Sequence, residues 1–427
     1  MTKQLEALAP GRPKPLFIAT VFILGLLIGI MHLGRVWMLG PDGFSPISQR
    51  LPYWDFTNLW AGGRMALDGH VTALFDVDVY RATLREMFSP RLPDQEWSYP
   101  PSMLLLGAPL ATLPIFPAYL VWTFGGMLCL WLAVRPLGLG RVAEAALLLS
   151  PPVFVNAMFG QNGTLTAALL IGGLYAAPRR PVLAGLLFGL LTMKPHLGLL
   201  VPFCLLASGN WRAIAAAAVA SVVVVAATGV VFGFDVWPQF WTETRSLMTQ
   251  ILEAPYPQPY HHNAMTVFFM SRMAGASLAV AYAVQAAVTI LAIGAAFWLW
   301  LPRRQVEHRE RVVVTAVLAI VVTPYGWTYD CVALAVAAVF LLTTLPRVPV
   351  LPLALALALV WLWPLVTQSV NRLGIPLPGL VPGAVATWML CLIWLRERRA
   401  EAATVRLSVP SGSSPAQGEA SRPVTAS

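Results

Sequence analysis

Apolar residues in this chain come in blocks long enough to cross a lipid bilayer, and that feature leaves few folds open. Residues 16 to 38 run apolar for about 23 positions, where about 20 suffice to span the hydrocarbon core. In lipid every backbone N–H and C=O needs an internal partner, so repeated blocks of this length mean a bundle of helices. The charge content agrees: 11% of 427 residues are charged and 58% hydrophobic, against roughly 25% charged in a soluble domain. The expected fold class is an all-α integral membrane protein. The net charge of +9 would suit nucleic acid, but the arginines sit in short clusters between apolar blocks, as cytoplasmic loops do, so no nucleic-acid partner is expected. Cys129, Cys204, Cys331 and Cys391 lie inside apolar stretches without metal-type spacing and read as small buried hydrophobes.

The apolar segments lie at about 16–38, 116–134, 142–158, 164–177, 181–193, 197–207, 213–232, 277–301, 312–322, 330–345, 350–366 and 380–395, roughly twelve in all, several short or broken. Residues 1–15, with Lys3, Arg12 and Lys14, read as a cytoplasmic N-terminal segment, and 16–395 as one polytopic domain. Arginine clusters at 135–141, 179–180, 303–311 and 396–399 fall on one side by alternation, so both termini are expected in the cytoplasm. Residues 396–427 read as a disordered tail. The long polar stretch 39–101 then lies outside, as an ordered, aromatic-rich cap with helical spacing at Asn58 to Leu67 and Val79 to Phe88. Residues 102–113 are too short to cross and read as re-entrant or interfacial. Gly138-Leu139-Gly140-Arg141-Val142-Ala143 matches a loose dinucleotide fingerprint, but no strand precedes it and the match is rejected. A multi-pass protein of a bacterial inner (plasma) membrane is the expected setting.

Short, broken helices at membrane depth are tolerated where their freed backbone groups face protein or a water-filled cavity, so 142–207 is expected to line a site. Alternation brings Asp55, Gln161, Asn162, Lys194 and His196 to the same outer face, with His261 and His262 on a second outer loop and Tyr329 on a third outer turn. A carboxylate among rings, as in Tyr53-Trp54-Asp55-Phe56, loses hydration and gains basicity, which suits a general base. A lysine at membrane depth costs roughly 2.5 to 3.5 kcal/mol and is rarely there without a partner. A base, amides and a cation on one face suit group transfer from an anionic lipid; the bland readings are a solvated loop aspartate and a snorkelling lysine.

Asp55-Phe56 with Leu59-Trp60-Ala61-Gly62-Gly63-Arg64, Tyr99-Pro100-Pro101 with Pro109-Leu110-Ala111-Thr112-Leu113-Pro114, Gly160-Gln161-Asn162, and Ala184-Gly185-Leu186 leading to Lys194-Pro195 together resemble glycosyltransferase family 87, over roughly residues 16 to 345. The resemblance implies a C-type glycosyltransferase-like bundle with catalysis at the outer face. It further implies a polyprenyl-phosphate-linked sugar as donor, a lipid or glycan as acceptor, and inverting, metal-independent transfer of a hexosyl or pentosyl unit without a cofactor. By the same resemblance Asp55 matches the catalytic aspartate of the first loop and Lys194 the lysine near the donor phosphate. Where members often carry Ser-Pro-x-Ser-Trp-x-His, this chain has Thr323-Pro324-Tyr325-Gly326-Trp327-Thr328-Tyr329, so Tyr329 replaces the histidine, and His196, His261 or His262 could supply the phosphate contact. Two other classes compete. A polytopic secondary transporter would also have broken helices, but no internal repeat is found and the longest loop is acidic and aromatic. The third class is a non-catalytic envelope-assembly membrane protein.

Overall fold

The computed structural model describes residues 15–344 and 350–408. Its elements are helical. The first, α1 (Pro15–Trp37), is followed by α2 (Trp54–Leu67) and α3 (Val77–Met87) within the first loop, then α4 (Leu104–Ala111) and α5 (Ile115–Val134). A run of short helices comes next: α6 (Arg141–Leu148), α7 (Pro151–Phe159), α8 (Gly163–Ala176), α9 (Pro181–Leu191) and α10 (Val201–Ala207). Long α11 (Trp211–Phe232) leads to α12 (Val236–Gln239), a π turn at Phe240–Thr244, α13 (Arg245–Glu253) and α14 (Val267–Met273). The chain ends with α15 (Leu278–Trp300), α16 (His308–Val321), α17 (Val332–Thr344), α18 (Val350–Arg372) and α19 (Val381–Ser408). Among the described residues extended pairing is limited to one isolated bridge, between Ala264 and Trp327.

Six helical stretches among the described residues are long and apolar enough to cross a membrane, and five further apolar stretches are shorter, from Pro101–Ala111 to Val332–Thr344. The short ones owe their length to Pro and Gly. Proline opens α7 and α9, where a first-turn N–H has no helical partner to lose, and Gly160 ends α7 in the left-handed region at φ 67°. The 142–158 segment is accordingly two helices that meet at Ser150. The second long loop, 233–262, is largely helical, through α12, the π turn and α13. At the other end α19 continues to Ser408, so residues 396–408, expected as tail, are helical; 409–427 and the basic N-terminal residues Lys3, Arg12 and Lys14 lie outside the described residues.

Burial separates an inner pair of helices from an outer ring. Every residue from Val312 to Ile320 of α16 and from Val332 to Leu341 of α17 is buried, whereas α5, α11 and α15 expose Phe124, Val222 and Leu291. An outer surface of that kind is covered by acyl chains at no cost in apolar hydration. The first loop has its own core, in which Phe56, Tyr80, Leu84 and Trp97 are buried. It docks through glycine: a Cβ on Gly63 would lie 2.2 Å from the Gly107 carbonyl oxygen, so α2 and α4 cross with backbones in contact.

The two ends of the bundle differ in chemistry. At one, the ring of His308 bonds the Tyr175 carbonyl, Arg309 lies against Gly138, and Arg304–Glu397 and Arg396–Glu310 ion pairs tie the α15–α16 turn to α19. The four arginine clusters, three at turns and the last within α19, therefore share this end. At the other lie the turns at Gly160–Asn162, Lys194–Pro195 and Thr323–Asp330, separated from the first end by the length of α8, about 21 Å for 14 residues.

Candidate active site

Asp55 stands in the first turn of α2 and accepts a hydrogen bond from Gln161 Nε2 at 2.8 Å. The turn carrying Gln161 is pressed onto α2: a Cβ on Gly160 would sit 2.4 Å from Phe56 Cβ, and its positive φ also requires glycine. The Trp122 indole N–H donates to the carbonyls of Gly160 and Gln161, at 3.0 and 3.2 Å. With its amide nitrogen turned toward the Gln161 carbonyl and its oxygen toward the Gly163 N–H, each at 2.7 Å, Asn156 closes the turn from behind. Asp55 keeps part of its surface open, yet the protein packed around it strips the carboxylate of water. Desolvation lifts its pKa to about 6, and the Gln161 hydrogen bond, Arg50 and Lys194 pull the other way.

Lys194 follows α9 just before the turn Pro195–Gly198, and it is 8% exposed. Its ammonium donates to Asn162 Oδ1 at 2.9 Å and to Asp330 Oδ1 at 2.5 Å, and it lies 5.1 Å from the centre of the Tyr329 ring. Asp330 is fixed in turn, because its other oxygen accepts the Trp327 N–H at 3.2 Å. Gly163 admits the Tyr329 backbone, whose carbonyl oxygen occupies the place of a side chain there. Consecutive residues thus hold the two halves of the site: Gln161 reaches Asp55 and Asn162 reaches Lys194.

Burial raises the phenol pKa values of Tyr99 and Tyr325, and the charges of Asp55 and Asp330 add to the effect, so both rings are neutral donors facing this site. His196 packs edge-on to Tyr325, ring centres 5.3 Å apart, and its Nε2 is buried without a hydrogen-bond partner among the described residues. His261 and His262 stand elsewhere. The His261 ring is stacked on Tyr256 at 5.2 Å, its Nδ1 accepts the Gln258 N–H, and burial lowers its pKa to about 4. Trp327 and Tyr260 separate it from the ring of Tyr325. The carbonyl of His262 accepts from Asn371. Both histidines therefore brace the second outer loop, and neither is hydrogen-bonded to Asp55, Lys194 or Asp330. An aromatic-rich loop shows that rings gather, not which way they point.

Asp330, the counter-charge of Lys194, is not singled out by the sequence pattern. An aspartate at the mouth of an apolar span looks like an ordinary helix-start residue. The signal was present in Lys194, whose depth demands an opposite charge at the same level.

The fold and the site define an integral membrane protein with a carboxylate, an ammonium and amides gathered at one end of a bundle of broken helices. The chain belongs to glycosyltransferase family 87: the family's sequence model matches residues 97–324, which include Tyr99, Gln161, Asn162, Lys194 and His196. It is thus a membrane glycosyltransferase. Asp55, Tyr329 and Asp330 lie outside the matched segment. No curated protein and no solved structure matches the chain.

Proposed function

We propose that this protein transfers a hexosyl or pentosyl unit from a polyprenyl-phosphate sugar to a lipid or glycan acceptor at the extracytoplasmic face, with inversion and without a metal, in a C-type glycosyltransferase-like bundle. The observation that carries the reading is the double hold of Gln161 and Asn162, which sets a proton acceptor and a cation on the two sides of one turn. Asp55, ionised above about pH 6, takes the proton of the acceptor hydroxyl as that oxygen attacks the anomeric carbon. The bond from the anomeric carbon to phosphate breaks on the opposite face, and its electron pair leaves with polyprenyl phosphate. Lys194 meets the charge that develops on the phosphate: an ammonium has three donors, of which Asn162 and Asp330 take two. The proton on Asp55 then passes to water through its open side.

A lipid-borne donor is supported by the surface beside Lys194. Leu183, Leu186 and Leu190 form an exposed stripe along α9 that ends at the lysine, so a prenyl chain laid on it would bring its phosphate to the ammonium. An extracytoplasmic site is supported by the arginine-rich opposite end of the bundle, which the usual loop bias favours on the cytoplasmic side. The test is transfer by the purified protein in lipid nanodiscs, with synthetic polyprenyl-phosphate mannose and arabinose compared against the corresponding nucleotide sugars. Transfer from the prenyl donors alone is expected. Turnover of a nucleotide sugar with no prenyl donor present would overturn the reading.

A further inference from the structure

The turn from α5 to α6 frames a cleft of about 590 Å³ at the arginine-rich end of the bundle, within the usual range for small-molecule sites. Trp131 and Arg135 form one wall; Arg141, Glu144, Ala145 and Leu148 form the other, on one face of α6. Both arginines are exposed, and they stand at the ends of stretches long and apolar enough to cross a membrane, Ile115–Leu137 and Arg141–Phe159. The cleft therefore opens at headgroup level. At this end Arg304, Arg309 and Arg396 are matched by Glu397, Glu307 and Glu310, whereas Arg135 and Arg141 have no carboxylate partner among the described residues. Arg135 instead lies over the Trp131 ring, 4.7 Å from its centre, which holds the guanidinium without neutralising it. The same indole donates its N–H to Glu144 Oε2 at 3.1 Å, so Trp131 fixes a cation on its own wall and an anion on the facing one. Two guanidiniums against one carboxylate leave the lining with a surplus of one positive charge, which a ligand of one negative charge balances. The planar fork of arginine pairs with phosphate oxygens in particular.

Apolar surface continues from the cleft along α5. Phe124, Leu128, Trp131 and Arg135 follow one another at the spacing of a single helix face, and Phe124 and Leu128 are exposed. From Phe124 to Arg135 the face runs about 16 Å at 1.5 Å per residue, close to the roughly 15 Å of hydrocarbon in one leaflet. A free phosphate would use the arginines and leave this stripe idle. A phospholipid uses both.

We infer that this cleft seats the headgroup of an acidic phospholipid carrying one negative charge, its phosphate met by Arg135 and Arg141 and an acyl chain laid along Leu128 and Phe124. Basic pockets between membrane helices hold acidic headgroups on the same principle. The test is native mass spectrometry of the full chain in detergent micelles, titrated with phosphatidylglycerol, phosphatidylethanolamine and phosphatidylcholine of identical acyl chains and, separately, with glycerol phosphate. Phosphatidylglycerol should be retained more tightly than either zwitterionic lipid, and glycerol phosphate should not be retained. Arg135→Ala and Arg141→Ala should each weaken phosphatidylglycerol binding about fivefold, the worth of one basic residue at a charged membrane surface. Arg303→Ala removes an exposed arginine outside the cleft and should leave binding unchanged. The cleft arginines are exposed as well, so folding is not at stake. Equal retention of the three lipids, or phosphatidylglycerol binding indifferent to both cleft substitutions, would overturn the site. So would a loss as large in Arg303→Ala, or glycerol phosphate bound as tightly as the lipid. No sugar donor is present in the titration, so its outcome is independent of the proposed transfer.

Discussion

Asp55 is held between opposing influences, and its substitution separates them. Its pKa lies near 6 because burial outweighs the Gln161 hydrogen bond and two cations. A carboxylate whose folded pKa exceeds its unfolded one favours folding when protonated, and that contribution is lost as pH rises through about 6. Asp55→Asn should therefore raise the thermal midpoint by an amount that grows between about pH 4 and about pH 7, while transfer falls about 10²- to 10⁴-fold. A lowered midpoint at neutral pH would contradict this. Gln161→Leu removes a bond that lowers the pKa, so the rising limb of the pH–rate profile should move upward; calorimetry and initial rates check the two claims. For Lys194 the structure predicts a mixed effect. Lys194→Met leaves Asp330, whose side chain is fully buried, without its counter-charge, at a cost of roughly 3–5 kcal/mol. Adding Asp330→Leu should recover most of that stability and none of the transfer. Asp55, Gln161, Asn162 and Lys194 were legible because alternating spans bring them to one face, whereas the pairing of Asp330 with Lys194 and the stacking of His261 on Tyr256 depend on side-chain direction, which periodicity does not encode.

At the scale of elements, breaks in the helices do most of the positioning. The apolar pattern marked α5, α11 and α15 within a few residues, because long spans leave little freedom. It could not show that 142–158 bends at Ser150, or that the second loop is helical, because short amphipathic pieces resemble loops when their packing surface is unknown. It also stopped α19 at the last apolar residue, although charged residues continue a helix readily. Glycine contacts set the remaining geometry. A methyl group on Gly63 meets the Gly107 carbonyl at 2.2 Å, and backbone cannot give way as a side chain tip can. Gly63→Ala is expected to destabilise the protein by about 1–3 kcal/mol, as overpacking does, and to lower transfer by tilting α2 and Asp55 with it. Unchanged unfolding and activity would show that the α2–α4 crossing is slack.

For the whole molecule, the decisive matter is which end faces outward. The arginine clusters gather at one end and the turns carrying Gln161, Lys194 and Asp330 lie at the other, so one orientation decides the side on which the sugar is delivered. In a background with the four native cysteines replaced, Ser89→Cys at the end of α3 should react with a membrane-impermeant maleimide in intact cells stripped of outer barriers. Reaction only after the inner membrane is opened would reverse the orientation and the proposed face of transfer with it.

The Lys194–Asp330 pair also bears on how the chain is made. Its partners are 136 residues apart, so at roughly 5–20 residues per second the lysine waits about 7 to 27 seconds for its aspartate to emerge from the ribosome. Asn162 precedes Lys194 by 32 residues and is on hand throughout. The amide can shelter the ammonium while the nascent bundle is incomplete, and arrival of the last turn then locks a site whose charges balance only in the finished protein.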